Sequence, residues 1–296
     1  MDEIEALARI RALPCWSGAV DVSALAGGMT NRNFLVRDRR AGDLVVRVGR
    51  DLPEHGVMRF NELAAARAAH AAGISPEVVH ASDGLMVSRY VPGRTLTADD
   101  VRDARTLDRV VTLVRRCHLE IPRHFRGPAL VFWVFQVIRN YLGLLSAANS
   151  NALPLDLARF ERIAEALERD VGQVTIVFGH NDLLAANFID DGSRLWLIDW
   201  DYAGFNSCLF DLANLASNND FTPAHERALL EAYFQWDPGK ACRRAFAAMK
   251  CASLLRELLW AAVSQLHSQI AFDYAGYARD YLARFETTWQ EQPSNE

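Results

Sequence analysis

The chain has 296 residues, of which 50% are apolar, enough for a substantial core and for one or two domains. Its formal net charge of -5 disfavours the broad basic surface of a nucleic-acid-binding protein, so no nucleic acid partner is expected. The apolar stretch at 130–138 is too short to span a bilayer, and the first residues lack the apolar segment of a signal peptide. We therefore expect a cytoplasmic protein without stable membrane insertion.

The cysteines are scattered and form no CxxC pair. An odd number of separated thiols in a chain of this length does not indicate a disulfide framework, and it fits a reducing compartment. None has the spacing of metal ligands. We expect structural thiols at Cys15, Cys117, Cys208, Cys242 and Cys251.

Short β-branched runs broken by glycine and aspartate predict strands in the first 90 residues. A short helix is predicted at 1–12, and an Ala-rich helix at 57–72 ends at Gly73. The pattern predicts a small α+β lobe that covers residues 1–91. Its predicted strands are 20–25, 33–36, 44–48, 78–79 and 85–90.

After residue 96 the sequence becomes mostly helical in pattern. A short β segment interrupts the helices, and Asp190-Asp191-Gly192 supplies a hairpin turn within it. The sequence predicts a larger, mostly helical lobe over residues 92–296. The predicted helices are 97–118, 132–147, 156–170, 223–236, 240–269 and 274–287, and the strands are 174–178, 187–189 and 195–198.

A dense group of polar residues follows the strands of this β segment: His180, Asp182, Asn187, Asp199 and Asp201. The hairpin turn brings Asn187 back toward Asp199, and an amide oxygen beside a carboxylate suits Mg²⁺. Asp182 lies at the entry of the loop, where it can act on a substrate hydroxyl, as phosphoryl transfer requires. We expect His180 to brace the loop by hydrogen bonding.

Each of these residues alone is more often a turn former or a cap. The combination of an apolar strand, HxDxxxxN, a hairpin and Ile-Asp is far rarer and favours a kinase. Two other hypotheses remain. Asp199-x-Asp201 is also the DxD pattern of a nucleotide-sugar glycosyltransferase, and a non-catalytic binding protein on a kinase fold is the second alternative.

The segments 180–187 and 198–204 together resemble the choline/ethanolamine kinase family, which belongs to the wider aminoglycoside phosphotransferase-like kinases. The resemblance covers nearly the whole chain. It implies an α+β class and a bilobal protein-kinase-like fold, with a nucleotide-binding lobe followed by a catalytic and acceptor-binding lobe. It also implies ATP as co-substrate, Asp182 as catalytic base, and Asn187 and Asp199 as magnesium ligands.

Of the glycine-rich motifs that bind nucleotide phosphates, the sequence contains neither GxxxxGK[ST] nor GxGxxG. The pair Gly27-Gly28 by itself indicates an ordinary turn. In the resembled family a Gly-Gly-x-Thr-Asn loop closes over the ATP phosphates with its backbone N–H groups. Gly28, Thr30 and Asn31 match that loop.

Lysine is nearly absent, and the first one is Lys240. The cation that holds the phosphates is therefore expected to be Arg47 in the third strand, since a guanidinium binds phosphate bidentately. The alternative is that Arg47 is only a surface residue of its strand. Glu62 is the expected partner of Arg47, by analogy with the kinase Lys–Glu pair. The resemblance implies that adenine contacts the backbone near Tyr90.

The C-terminal region carries the information on the acceptor. Glu257 and Trp260 share a helix face, and Phe272 and Tyr277 follow. Aromatic rings with nearby carboxylates can bind an alkylated ammonium, although aromatic residues at helical spacing are also common in cores. In the resembled family a Trp, a Phe and a Tyr surround the choline headgroup, and Trp260, Phe272 and Tyr277 match them.

Glu257 departs from the family, whose eukaryotic members have a second Trp at this position. Two interpretations are open: the carboxylate pairs with the cation directly, or the substrate is a less methylated amine. We expect Asp201 and Tyr202 to line the same acceptor site. Asp211 is expected to bond backbone amides or the catalytic loop.

The leading hypothesis is therefore the phosphorylation of choline by Mg·ATP. Ethanolamine, thiamine-like alcohols and aminoglycosides are the alternative acceptors. A single aromatic cage favours one alkylammonium group over a polycationic sugar. The expected partner is a small amino alcohol, and the sequence leaves a homodimer open.

Overall fold

The computed structural model describes residues 3–25, 31–148, 154–268 and 270–292. An antiparallel five-stranded sheet occupies the first part of the chain. Its strands are β1 (Asp21–Leu25), β2 (Arg32–Asp38), β3 (Gly42–Val48), β4 (Val78–Ser82) and β5 (Leu85–Arg89). They lie in the order β1-β2-β3-β5-β4. All five predicted strands are confirmed; the predicted turn at Gly27 and Gly28 lies outside the described residues.

The inner face of this sheet is covered by the first helix, α1 (Glu3–Arg11). Alternate residues of β2 and β3 are buried, as expected for strands with one face on a core. Ala6 and Ile10 of α1 pack with Phe34, Val46 and Val87 in a separate apolar cluster. The helix α2 (Arg59–Ala71) instead joins its buried alanines to the main core of the chain.

The rest of the chain is mainly helical. Its helices are α3 (Ala98–Arg102), α4 (Ala104–His124), α5 (Val134–Ala148), α6 (Leu157–Val171), α7 (Cys208–Asn218), α8 (Pro223–Phe234), α9 (Gly239–His267) and α10 (Tyr274–Gln290). The helix predicted at 97–118 is two helices, because Asp103 ends α3 and its side chain accepts hydrogen bonds from the first backbone N–H groups of α4. The prediction missed α7.

The helix α9 is the central element of this larger part. It packs against α5, α6, α7 and α10, and almost every residue from 245 to 264 is buried. A helix that is apolar on all sides belongs in the interior of a domain. Polar side chains on the buried part of α9 are therefore candidates for a functional role. Among the described helices, none combines the length and apolar character that a membrane span requires.

The β segment of this larger part is divided between two small sheets. Its strands are β6 (Arg94–Thr95), β7 (Ile176–Gly179), β8 (Phe188–Asp190), β9 (Leu195–Leu197) and β10 (Gly204–Ser207). β7 pairs with β10, which the sequence did not predict, and β6, β8 and β9 form the second sheet. The predicted hairpin is confirmed: Asp191 closes its turn by accepting from the N–H groups of Ser193 and Arg194, both at 2.8 Å.

We predict that truncating Ile10 destabilises the sheet that α1 covers. Ile10 is fully buried, so Ile10→Ala removes apolar contacts and leaves a cavity that costs about 2–5 kcal/mol. Urea unfolding measures the change. Ile4→Ala on the same helix is the matched control, because Ile4 is 81% exposed. Equal stability of the two variants would contradict the packing of α1.

Candidate active site

The loop after β7 is held by polar side chains of α7. Asp211 accepts hydrogen bonds from the backbone N–H groups of His180 at 2.8 Å and Asn181 at 2.7 Å. Asn214, one turn further along α7, accepts from the N–H of Leu183 at 2.6 Å. The backbone around position 182 is thus fixed by a buried helix. The prediction that Asp211 bonds backbone amides of the loop is confirmed.

Asp211 itself is buried next to a histidine. Burial raises the pKa of the Asp211 carboxyl, but the hydrogen bond and charge of His118 outweigh this and hold the pKa below its ordinary value. His118 Nε2 lies 2.9 Å from the Asp211 carboxylate, and its Nδ1 lies 2.7 Å from the hydroxyl of Tyr233. The carboxylate therefore stays ionised and keeps its capacity to accept from the loop.

His180 braces the loop from the other side, as predicted. Its Nε2 donates to the carbonyl of Ile198 at 2.9 Å, and its ring meets Trp200 edge-on at 4.8 Å. Burial lowers the pKa of His180, so the ring is neutral and serves as a structural donor. Asn181, at φ 67°, adopts the left-handed conformation that asparagine tolerates better than most residues.

Asp182, Asn187 and Asp199 converge at the end of the β8–β9 hairpin. The Nδ2 of Asn187 donates to the carbonyl of Asp182 at 2.8 Å, and the N–H of Ile198 donates to the carbonyl of Asn187 at 3.0 Å. Asp199 follows directly and has a positive φ of 70°. Aspartate tolerates this left-handed conformation better than most residues other than glycine, and such conformations are common at functional sites. The structure brings together the three residues that the sequence singled out.

The pKa of Asp182 is raised to about 8. Burial is the largest cause; the positive charge of Arg256 opposes it, and Glu257 and Asp199 add to it. Arg256 and Glu257 lie on α9 and Asp199 follows the β8–β9 hairpin, so charges from both elements act on Asp182. A carboxylate with a raised pKa is a stronger proton acceptor, as a general base requires.

The donor atoms of Asn187 and Asp199 fit a magnesium ion. Asn187 commits Nδ2 to hydrogen bonding, so Oδ1 is the atom that its amide can offer, and Mg²⁺ takes oxygen ligands. Asp199 uses Oδ1 for an arginine. Within the described residues no group of three His, Cys, Asp or Glu side chains forms a metal site. A site of one amide and one carboxylate agrees with magnesium that is held largely by substrate phosphates.

Two arginines and three carboxylates form a buried ion network on the small-lobe side of Asp199. Arg47 Nη1 contacts Glu62 at 2.6 Å, Asp199 at 3.0 Å and Asp201 at 2.8 Å. Arg59 Nη1 contacts Glu62 at 2.5 Å and Asp201 at 2.8 Å. Burial lowers the pKa of Arg47, but the three carboxylates outweigh it and raise the pKa. The predicted Arg47–Glu62 pair is present, and Arg47 is not a surface residue.

Arg59 was missed by the sequence reasoning, although it lies three residues before Glu62 on a predicted helix, a spacing at which ion pairs form. Asp201, which was expected to line the acceptor site with Tyr202, lies in this network. Its carboxylate also accepts from Asn31 Nδ2 at 2.8 Å. Gly28 and Thr30 of the predicted phosphate loop lie outside the described residues.

Tyr90 follows β5, at the junction to the larger part of the chain. Its side chain is exposed, and its backbone N–H donates to the carbonyl of Asp43 at 3.1 Å. The N–H of Arg89 likewise donates to the carbonyl of Glu77. An adenine contact at this junction would therefore involve other backbone groups than these two.

The predicted acceptor residues meet on the buried face of α9. Trp260 Nε1 donates to the hydroxyl of Tyr202 at 2.9 Å, and the hydroxyl of Tyr277 donates to Glu257 at 3.1 Å. The rings of Trp260 and Tyr277 lie 5.8 Å apart, edge to face. Phe272 contacts Tyr277 at 5.8 Å and is half-exposed, so it lies at the rim of the group.

His55 supports this aromatic group from the segment between β3 and α2. Its ring lies 5.8 Å from Trp260, and its nitrogens contact the hydroxyls of Tyr141 at 3.1 Å and Ser264 at 3.2 Å. Burial, and then the charge of Arg256, lower its pKa to about 3, so the ring is neutral. A cleft of about 670 Å³ runs from Trp260 past His55 to α1. Nothing in the sequence pattern marked His55.

Comparison with known proteins identifies the class. The profile of the family described as Choline/ethanolamine kinase matches residues 22–224. Probable choline kinase 3 of Arabidopsis thaliana is 25% identical, over 93% of this chain and 87% of its own length. Ethanolamine kinase 2 of Mus musculus is 26% identical, over 97% of this chain and 81% of its own.

The solved structures agree. A choline/ethanolamine kinase family protein from Mesorhizobium loti has a TM-score of 0.79 and 29% identity, with 99% of this chain and 96% of that chain covered. An aminoglycoside 2'-phosphotransferase in complex with GDP has a TM-score of 0.66 at 17% identity, with 98% and 99% covered, and shares the fold. The fold is the protein-kinase-like fold of small-molecule kinases, as predicted.

The chain belongs to the choline/ethanolamine kinase family. It is therefore a phosphotransferase that acts on an alcohol group. The resemblance noted in the sequence is confirmed, and the glycosyltransferase hypothesis for Asp199-x-Asp201 is wrong.

We predict that Asp182→Asn stabilises the metal-free protein increasingly as the pH rises. The pKa of Asp182 in the folded state, about 8, lies above the ordinary 3.8. The contribution of this carboxyl to the free energy of unfolding is therefore fully present below pH 3.8 and is lost as the pH rises through 8. Wild type should lose up to about 1.4 kcal/mol per pH unit relative to the variant between these values. Urea unfolding at several pH values in EDTA measures this.

The control is Asp108→Asn, which alters an exposed aspartate on α4. Its stability relative to wild type should stay constant over the same pH range. A constant difference for Asp182→Asn as well would show that the carboxyl at position 182 is not desolvated.

Proposed function

We propose that this kinase transfers the γ-phosphoryl group of ATP to the hydroxyl of choline or a related amino alcohol. Residues 1–91 form the nucleotide-binding lobe in this proposal, and residues 92–296 form the catalytic and acceptor-binding lobe. The acceptor's O–H proton goes to Asp182, its oxygen forms the new bond to phosphorus, and the bond from phosphorus to the ADP oxygen breaks.

The observation that supports the proposal most directly is the environment of Asp182: its backbone carbonyl accepts from Asn187, and the charges of Asp199 beside the hairpin and of Arg256 and Glu257 on α9 act on its carboxyl. The first set of side chains is Asn187 and Asp199, whose oxygens would hold magnesium; the ion would neutralise phosphate charge there. The second set is the face of α9 with Glu257 and Trp260. In this proposal, the acceptor bound by the second set presents its hydroxyl to Asp182 and to the phosphate.

Arg47 is the proposed phosphate-binding cation of the nucleotide lobe. In the structure it is held by Glu62, and it also contacts Asp199 and Asp201. Two guanidinium groups face three carboxylates, so the network has an excess of negative charge before nucleotide and magnesium arrive. In this proposal, Arg47 binds the phosphates while Arg59 keeps its contacts with Glu62 and Asp201.

The acceptor pocket supports an amino alcohol. Trp260 and Tyr277 offer aromatic surface to an alkylammonium group, and Glu257 offers negative charge. Ethanolamine is the second candidate, because Glu257 can accept hydrogen bonds from a primary ammonium but not from a quaternary one. The relative named as an ethanolamine kinase and the relative named as a choline kinase are about equally identical in sequence to this chain.

The reaction is tested by ADP release from Mg·ATP with choline, ethanolamine, a thiamine-like alcohol, an aminoglycoside and buffer alone. We expect turnover above buffer with choline or ethanolamine. Asp182→Ala should lower kcat by about 10²–10⁴-fold, because it removes the proton acceptor. Asp108→Ala should leave kcat unchanged. If none of the amino alcohols gives turnover above buffer, the proposal is rejected. Full activity of Asp182→Ala would reject Asp182 as the catalytic base.

We predict that Arg47→Lys weakens nucleotide binding by about 10-fold or more, because an ammonium cannot reproduce the forked contacts of the guanidinium with phosphate. Titration with ATP in the presence of Mg²⁺ measures the affinity. Arg37→Lys on the neighbouring strand is the control, since Arg37 is exposed and pairs with Asp21. Unchanged ATP affinity of Arg47→Lys would remove Arg47 from the phosphate site.

A further inference from the structure

A buried arginine on α9 has no role in the reaction described so far. Arg256 is 1% exposed and is among the largest fully buried side chains. It directly precedes Glu257 and lies four residues before Trp260, so the helix presents it on the same face as the indole. A guanidinium is almost never buried so completely unless it is paired.

The contacts of Arg256 place it in the acceptor site. Its Nη1 donates to Glu257 Oε1, and its Cζ lies 4.5 Å from the ring centre of Tyr202 and 5.8 Å from that of Phe132. The ring of Tyr202, a residue that was expected to line the acceptor site, thus already contacts a cation of the chain itself. The charge of Arg256 also lowers the pKa of Asp182, against the effect of burial.

The hydrogen bonds of Arg256 are incomplete. Its Nε and Nη2 are buried, and neither has a hydrogen-bond partner among the residues that the structure describes. Glu257 accepts from Nη1 through Oε1 and from Tyr277 through Oε2, and neither contact satisfies Nε or Nη2. Buried donors in folded proteins are nearly always satisfied, and an unsatisfied pair on a cation calls for a ligand with negatively charged oxygens.

We propose that Arg256 binds an oxygen anion at the acceptor end of the active site through Nε and Nη2. This inference rests on the proposed function. The anion has two sources with the same chemistry: the phosphoryl oxygens of the phosphorylated product, or a carboxylate carried by the acceptor. Glu257 and the aromatic rings then face the amine of the same molecule, so the site recognises a zwitterion.

The test is calorimetric titration of wild type and Arg256→Met with five probes: choline, phosphocholine, ethanolamine, phosphoethanolamine and serine. Serine is ethanolamine that carries a carboxylate, so it distinguishes the two sources. We expect Arg256→Met to weaken the binding of phosphocholine and phosphoethanolamine at least 10-fold. The binding of the parent alcohols should weaken far less. Arg243→Met, on the exposed part of the same helix, is the matched control and should match wild type.

Tighter binding of serine than of ethanolamine to wild type, lost in Arg256→Met, would identify a carboxylate as the anion. Product affinity that is the same in wild type and in folded Arg256→Met, together with unchanged serine binding, overturns the inference. If Arg256→Met does not fold, Arg256→Lys is titrated instead, since it keeps the charge but loses the forked donors.

Titration of the wild-type protein alone also tests the inference. Each phosphorylated product must bind more tightly than its parent alcohol, or serine more tightly than ethanolamine; if neither holds, no anion site exists beside Asp182. These titrations need no turnover. Failure of the proposed function, seen as absent ADP release with every amino alcohol, is therefore distinct from failure of the Arg256 inference.

Discussion

The buried network of Arg47, Arg59, Glu62, Asp199 and Asp201 is the interaction on which the active site depends. It joins β3 and α2 of the first sheet region to the segment that follows the β8–β9 hairpin. Breaking a buried ion pair by removing one partner costs about 3–5 kcal/mol, because the other charge is left without compensation. The same carboxylate that would hold magnesium is therefore positioned by the arginine that would hold the phosphates.

The opposite wall of the site depends on α9. Its burial within four other helices leaves little freedom to Arg256, Glu257 and Trp260, whose side chains are fixed by one another and by Tyr202. The loop with Asp182 is fixed independently by Asp211 and Asn214 of α7. The proposed base is thus held on a loop that α7 fixes, which is the preorganisation that phosphoryl transfer requires.

The sequence reasoning succeeded where the signal is local. The hairpin turn at Asp191 and the brace by His180 follow from residue type and position in the chain, whereas the Arg47–Glu62 pair was expected by analogy with the kinase Lys–Glu pair. It failed for α7, whose polar residues interrupt the apolar pattern because they bond the catalytic loop. It also failed for β10, a short strand whose residues pair with β7 residues 25 to 31 positions earlier in the chain and which carries little pattern of its own.

The sequence by itself determined the fold class, the family and the three oxygen-bearing residues at 182, 187 and 199, since these lie within 18 positions around one hairpin. Only the tertiary structure showed which residues surround each functional side chain. It placed Asp201 with Arg47 and Arg59, set Arg256 against the face of Tyr202, and brought His55 to Trp260 across 205 positions. Such contacts depend on how helices pack, and no periodicity of the sequence encodes them.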